Sequence, residues 1–220
     1  MNAYLHARYQ IVLQYIKRYP YKRKLKILDV GCGDGALTGL INRQGHPVWG
    51  IDVDKEGIRL AKEQFGIHGL EGVFSAIEGS EYPFGDGEFD IVICADVIEH
   101  VKEPGAVLTE IRRVLSPGGW AIITTPIAVS DMPLGAYHVQ EWTPQTFEKF
   151  CLGVFDKIID KKKTHPLLLY YLYTAKNRYI HKSARLIINC LVRLGFNLFL
   201  LRAPKGLLKA HMQTVVLGKS

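Results

Sequence analysis

The chain has 220 residues, 48% of them apolar and 22% charged, which suits one globular domain and excludes a disordered or fibrous protein. Its formal charge of +7 is unevenly placed: residues 157–220 hold thirteen Lys or Arg against one acid, Asp160, while the first 156 residues carry a net −5. An acidic body with a basic segment points to an anionic surface as partner, membrane or nucleic acid.

Four cysteines, Cys32, Cys94, Cys151 and Cys190, lie far apart with no CxxC pair. That excludes a disulfide framework or a structural zinc site and fits a reducing cytoplasm. The N-terminal residues, with Tyr4, His6 and Arg8, lack the apolar run of a signal peptide. The longest apolar stretch, Leu186 to Leu201, is broken by Asn189, Arg193 and Asn197 and falls short of the ~20 residues that span a bilayer. The expectation is a cytoplasmic protein, soluble or peripheral at the inner membrane face.

In chain order, Leu5, Tyr9, Val12, Ile16 and Tyr19 recur at helical spacing and predict a helix over 3–18, the main part of an N-terminal helical lid over 1–24. A basic turn, Tyr21 to Lys24, leads into LKILDV (25–30), a buried strand. Further strands are predicted at 47–52, 72–77, 89–94 and 119–125, with helices near 35–43, 55–64 and 104–115. Strands alternating with crossover helices mean an α/β fold, a doubly wound and mostly parallel sheet with helices on both faces. After a polar loop at 126–141 come a helix at 143–150, a sixth strand at 154–159 and a seventh at 212–218. Residues 162–210, rich in Leu, Ile, Tyr and basic side chains, read as a helical insertion before the last strand. The whole of 1–220 reads as one domain.

Chemistry concentrates at the strand ends. DVGCGDG (29–35) follows the first strand and opens a helix, so Gly31 and Gly33 allow a tight turn and close backbone approach to a ligand. Gly31, Gly33 and Ala36 also satisfy the dinucleotide pattern GxGxxG/A. A dehydrogenase would carry an apolar residue at Asp29; a carboxylate there suits a ligand with a cationic amino group. Asp52 ends the second strand, where an acid faces a ribose, and Asp54 is placed to cap the next helix. Glu78 and Gly79 follow the third strand, near an adenine amine, with Glu81 as a substitute.

These segments, followed by PFGDGEFDIVIC, VIEHV, RVLSPGG and ITTP, resemble the class I S-adenosylmethionine-dependent methyltransferases, most closely the ubiquinone-biosynthesis O-methyltransferase group of small-molecule enzymes. The resemblance is strong over 25–125 and weak in HVQEWTP (138–144) and the final strand. It implies a seven-stranded sheet whose last strand is antiparallel, with S-adenosylmethionine across the strand ends. By that pattern Asp29, Gly31 and Gly33 line the methionine part and Asp52 holds the ribose. Glu78 sits near the adenine, although many relatives carry Asp-Ala there, and Ala95 lies beside the cofactor. Arg8 or His6 in the first helix could close over the cofactor carboxylate.

Methyl transfer from a sulfonium is an in-line displacement, in which the enzyme aligns the nucleophile and excludes water. A hydroxyl acceptor also needs a base, and His100 and His138 are the candidates. Asp96, Glu99 and His100 resemble the carboxylate-x-x-Glu-His cluster of the ubiquinone group, which could hold a divalent metal, although the same residues occur in relatives where no metal is implied.

From 174 to 201 a helix with a break at Gly195 is predicted. Arg178, Lys182, Arg185, Asn189, Arg193 and Asn197 form a narrow polar stripe opposite Ile187, Leu191, Leu194, Leu198 and Leu201. A broad apolar face with a basic stripe fits a helix lying in a membrane interface. LLLYYLY (167–173) adds headgroup-level aromatics, and Lys161 to Lys163 could meet anionic lipid. A lid or a homodimer interface would use the same face. The reading is a methyltransferase acting on a small-molecule or lipid-linked acceptor, with an anionic membrane surface met through 162–210. An RNA methyltransferase, or a binding module that keeps the fold, are the alternatives. Nucleic acid is disfavoured because the segment is too apolar.

Overall fold

The computed structural model describes residues 2–20, 23–79, 81–133, 135–174, 178–201 and 209–220. Tyr21 and Lys22 of the basic turn, Leu134 of the polar loop, and 175–177 and 202–208 of the insertion lie outside the described residues. Five strands, β1 (Ile27–Val30), β2 (Val48–Asp52), β3 (Gly72–Ala76), β4 (Phe89–Ala95) and β5 (Leu115–Pro126), run parallel. Two more, β6 (Lys157–Pro166) and β7 (Ala210–Gly218), complete the order β3-β2-β1-β4-β5-β7-β6. β7 is antiparallel to both neighbours.

The helices are α1 (Ala3–Arg18), α2 (Ala36–Asn42), α3 (Lys55–Ile67), α4 (Pro104–Val114), α5 (Pro144–Leu152), α6 (Leu167–Thr174) and α7 (Arg178–Arg193). β4 shows why a continuous apolar run becomes a central strand: its alternate residues enter different cores. Phe89, Val92 and Cys94 pack with Ile111 of α4 and Phe147 of α5. Ile91 and Ile93 pack on the other face with Ile11 and Ile16 of α1. A third, smaller cluster joins Ala3 and Ala7 of α1 to Tyr173, Ile188, Val192 and Phe199.

Two boundaries differ from the sequence expectation. Val154 and Phe155 belong to the turn closing α5, where the Val154 and Phe155 amides donate to the Cys151 carbonyl. The sixth strand therefore starts at Lys157 and continues through Lys161–Lys163 to Pro166, consuming the first five residues of the segment read as a helical insertion. Pairing with β7 supplies its backbone hydrogen bonds, and an edge strand tolerates lysines, Lys161 pairing with Glu148 of α5.

The predicted helix over 174–201 is α7, which stops before Gly195 (φ +90°), followed by a 3-10 turn at Leu198–Leu200. Its polar stripe does not all face outward: Asn189 and Asn197 turn toward α1. The exposed face of α7 instead carries Leu186, Ile187, Cys190 and Leu194 between Lys182 and Arg193, extended by Phe196 and Leu201. Among the described residues no helix is long and apolar enough to cross a membrane.

Asp54 caps α3, accepting from the Glu56 amide at 3.0 Å. Asp54→Ala is expected to lower unfolding free energy by about 1 kcal/mol in chemical denaturation. An unchanged midpoint would mean that water satisfies that amide equally well.

Candidate functional site

The glycine loop at the end of β1 is held from two sides. Gly31 has φ +72°, and a Cβ there would lie 2.1 Å from the Val97 side chain, so both backbone angle and space demand glycine. The Gly33 amide donates to Asp52 Oδ2 at 2.8 Å, and the Asp54 amide to Asp52 Oδ1 at 2.9 Å. Asp52 therefore ties the loop after β1 to the tip of β2, and each oxygen retains acceptor capacity for a further donor.

Asp29 lies behind the loop and is buried, accepting from Thr38 Oγ1 of α2 at 2.6 Å. Burial pushes its carboxyl up to about 7, opposed by the Thr38 hydrogen bond and aided by the negative charge of Asp52. A carboxyl so placed can exchange a proton near neutral pH.

β4 ends at Ala95, and the next residue, Asp96, adopts φ +56°, unusual for a residue with a side chain. It is fixed by its amide donating to the Thr124 carbonyl, by Thr124 Oγ1 donating to its Oδ1 at 3.0 Å, and by an ion pair with Arg8 of α1. Gly31, Ile51, Asp52, Ile77, Gly79, Tyr82, Asp96, Val97, His100 and Val107 line a cavity of about 580 Å³, of a size that takes a nucleoside-containing ligand.

Beyond Asp96 the 3-10 turn at Ile98–His100 and the loop after β5 bring Glu99, His100 and His138 together, with one ligating atom from each lying within 4.8 Å of the others. His100 Nδ1 donates to the Tyr137 carbonyl at 3.0 Å, which leaves Nε2 as the basic nitrogen. His138 Nδ1 lies 2.6 Å from Glu141 Oε1, and the two imidazoles meet edge to face at 4.8 Å. The His138 ring packs directly on Gly135, where a Cβ would come within 2.3 Å of it. Glu99 is fully buried; Oε2 accepts from Thr125 Oγ1 while Oε1 has no partner among the described residues. Burial raises its carboxyl above the usual range, an effect the Thr125 hydrogen bond and both histidines oppose.

The predicted residues thus divide. Gly31, Asp52 and His100 line the cavity; Gly33 lies in its loop, Asp29 stands behind that loop, and Ala95 precedes the lining residue Asp96. Glu78 does not line the cavity: it is exposed and pairs with Lys55 Nζ at 3.1 Å, while its neighbours Ile77 and Gly79 form the wall. Asp96 leaves the Asp96-Glu99-His100 grouping for Arg8, and His138 takes its place. Sequence reading missed Glu141 as the partner of His138, although its i+3 spacing in HVQE was visible. It also missed Tyr82, buried in the cavity wall, in a segment read only as loop.

A doubly wound sheet of this order, with a glycine turn after β1 and an acid closing β2, is the class I S-adenosylmethionine-dependent methyltransferase fold. Residues 28–123 match the family described as methyltransferase domain. Over that segment the chain is similar to a methyltransferase domain, for which S-adenosylmethionine is the cofactor implied. The chain is 34% identical over 125 residues to a ubiquinone biosynthesis O-methyltransferase of Caulobacter sp. (strain K31), covering 54% of this chain and 50% of that protein. It is 36% identical over 129 residues to one from Xylella fastidiosa (strain M23), covering 55% and 50%. The chain therefore spans about half the length of the relatives it matches. Among solved structures, the [4+2]-cyclase SpnF superposes with a TM-score of 0.68 at 17% identity, covering 96% of this chain and 81% of that one. A SAM-dependent methyltransferase from Methanosarcina mazei gives 0.64 at 17% identity, covering 93% and 97%. At such identity the likeness concerns the fold alone, and the cyclase shows that the fold does not dictate methyl transfer.

The buried Asp29 makes a stability prediction. An acid whose folded value is raised binds more protons folded than unfolded, so stability falls as pH rises from about 4 through about 7. Above that window ionised Asp29 costs on the order of 4 kcal/mol, the size of a shift from 3.8 to about 7. Denaturation of Asp29→Asn across the same range should lose this downward slope relative to wild type. Parallel slopes in the two proteins would show that Asp29 titrates normally.

Proposed function

We propose that the chain transfers a methyl group from S-adenosylmethionine to a hydroxyl of a small-molecule or lipid-linked acceptor. The observation that carries this reading is the single cavity bounded by the glycine loop and Asp52 at one end and by Asp96 and His100 at the other. The glycine loop, suited to a nucleoside, and the His100 imidazole thus line one cavity. Gly31's lack of a Cβ and the spare acceptor capacity of Asp52 fit the nucleoside, with Asp52 toward the ribose and Ile77 and Gly79 beside the base. We assign Asp29, behind the loop, to the amino group and Arg8, through its pair with Asp96 in the wall, to the carboxylate.

When bound, the cofactor supplies a methyl group already activated on sulfonium sulfur. The residues then have two tasks. His100 Nε2 or His138 would take the proton of the acceptor hydroxyl, leaving its oxygen as the nucleophile. Glu141 and the Tyr137 carbonyl hold the two rings in the tautomer that leaves the free nitrogen pointing away from them. That the relatives are named O-methyltransferases supports oxygen as the acceptor atom.

A divalent metal is a second reading for the same three side chains. The donor chemistry fits: Glu99 Oε1 is buried without a partner, and each histidine has one nitrogen engaged by an oxygen acceptor, as metal-bound imidazoles usually do. Glu99, His100 and His138 would hold the ion, which would stabilise the developing alkoxide.

Calorimetric titration with S-adenosylhomocysteine tests the cofactor assignment: wild type should bind, and Asp52→Ala should bind at least about tenfold more weakly, the loss of one charged acceptor. Folded protein that binds neither the cofactor nor its product would favour a binding module. With an acceptor in hand, His100→Ala or His138→Ala should lower kcat by about 10²–10⁴-fold. Chelation by EDTA should leave wild type unchanged if the histidines act as bases, and abolish turnover if they hold a metal.

The outward face of α7 supports a membrane-facing role at the cytoplasmic side. Leu186 and Leu194 are 66% and 72% exposed, flanked by exposed Lys182 and Arg193, within a segment of net +12. Co-sedimentation with phosphatidylglycerol-containing vesicles is expected and should be lost in Leu186→Glu/Ile187→Glu. A concentration-dependent dimer broken by that same pair would reassign the face to a homodimer, and salt-sensitive RNA binding would reopen nucleic acid.

A further inference from the structure

α1 touches both the inner side of α7 and, through the Arg8–Asp96 ion pair, a residue of the cavity wall. The first turn of α1 is held almost wholly by the segment between β6 and β7. The Ala3 amide donates to Asn189 Oδ1 of α7 at 3.1 Å and to the Tyr173 hydroxyl of α6 at 3.2 Å. Asn197 Nδ2, just past α7, donates to the Ala3 carbonyl at 3.0 Å, and His165 Nε2 of β6 donates to the Tyr4 carbonyl at 3.1 Å. Ala3 and Ala7 pack in the same apolar cluster as Ile188 and Val192, the inner face of α7. One residue beyond Ala7, Arg8 leaves that cluster and pairs with Asp96 in the cavity wall.

A helix transmits position along its length because its backbone hydrogen bonds make it stiff over a few turns. Four residues separate Ala3, gripped by α7, from Arg8, whose ion-pair partner Asp96 lines the cavity. Asn189 is also the reason the polar stripe of α7 is not wholly exposed: its amide oxygen meets an N–H of the first turn of α1, which an α-helix cannot bond internally. The link is a specific polar contact and not only apolar packing.

We infer that α1 couples the two sites, so that docking of the α7 face on an anionic bilayer strengthens binding of the cofactor and of its product. The inference rests on the membrane-facing reading of α7 given above. A bilayer that orders α7 also orders the amide and hydroxyl groups gripping Ala3, and so fixes Arg8 at the wall where the ligand's carboxylate would lie. Thermodynamic linkage then requires the reverse effect in equal measure: a bound ligand must tighten vesicle binding by the same factor.

The experiment is titration of the full chain with S-adenosylhomocysteine in the presence and absence of phosphatidylglycerol-containing vesicles, with phosphatidylcholine vesicles as control. The dissociation constant should fall about fivefold or more with the anionic vesicles, the lower end of ordinary coupling between sites. Vesicle affinity should rise by the same factor when S-adenosylhomocysteine is saturating, a reciprocal measurement on wild type that needs no variant. Asn189→Ala keeps the outward face of α7 and should still bind vesicles, but its two affinities should no longer respond to each other. Wild type that binds vesicles with an unchanged dissociation constant for S-adenosylhomocysteine overturns the coupling and leaves the membrane reading intact. Wild type that binds no anionic vesicles overturns both, while ligand binding itself stays open to the separate titration without lipid.

Discussion

The two backbone amides that Asp52 accepts from hold the rest of the site in register. One belongs to the glycine loop after β1, the other to the residue that caps α3. The carboxylate therefore pins the loop against β2, and the loop's path past Val97 exists only because Gly31 has no side chain. The cavity wall formed by Gly31 and Val97 depends on that path. A buried or partly buried carboxylate bonded to amides loses little by being dehydrated, because charge-assisted bonds replace its water. It can keep acceptor capacity for a ligand and still act as a structural tie.

Around this tie, the sheet was legible in the sequence wherever one strand's residues were sufficient to declare it. LKILDV and FDIVIC are apolar on both faces, and only a central parallel strand buries both. The glycine turn, the closing acid at Asp52 and the cap at Asp54 were readable because their chemistry is local, set within a few residues. β6 was not. Its hydrogen bonds come from β7, some fifty residues downstream, so nothing in KKKTHP declares a strand. Asn189 and Asn197 looked like members of a solvent-facing stripe because periodicity records spacing and not what approaches from elsewhere. The same blindness hid the exchange at Asp96, whose partner lies eighty-eight residues earlier in α1.

The chain combines a conventional core with an unusual flank. Residues 28–123 can be matched to known proteins, whereas the segment between β6 and β7 carries the excess positive charge and the exposed leucines. The chemistry of methyl donation needs only the former. The latter holds no helix long and apolar enough to cross a membrane among the described residues, and the proposed membrane face lies on it. The two parts are separable in sequence yet physically joined, since the flank packs directly on α1.

The distribution of thiols follows from this architecture. Cys32, Cys94 and Cys151 are buried, and burial pushes their thiols up, which keeps them protonated and poorly nucleophilic. Cys190 is exposed and lies on the outward face of α7 between Ile187 and Leu194. Alkylating and oxidising agents thus meet their most accessible target at the centre of the apolar face. A fluorophore attached there would report the polarity of whatever covers α7, and an oxidised sulfur would put negative charge in the middle of a surface otherwise built from leucine and lysine.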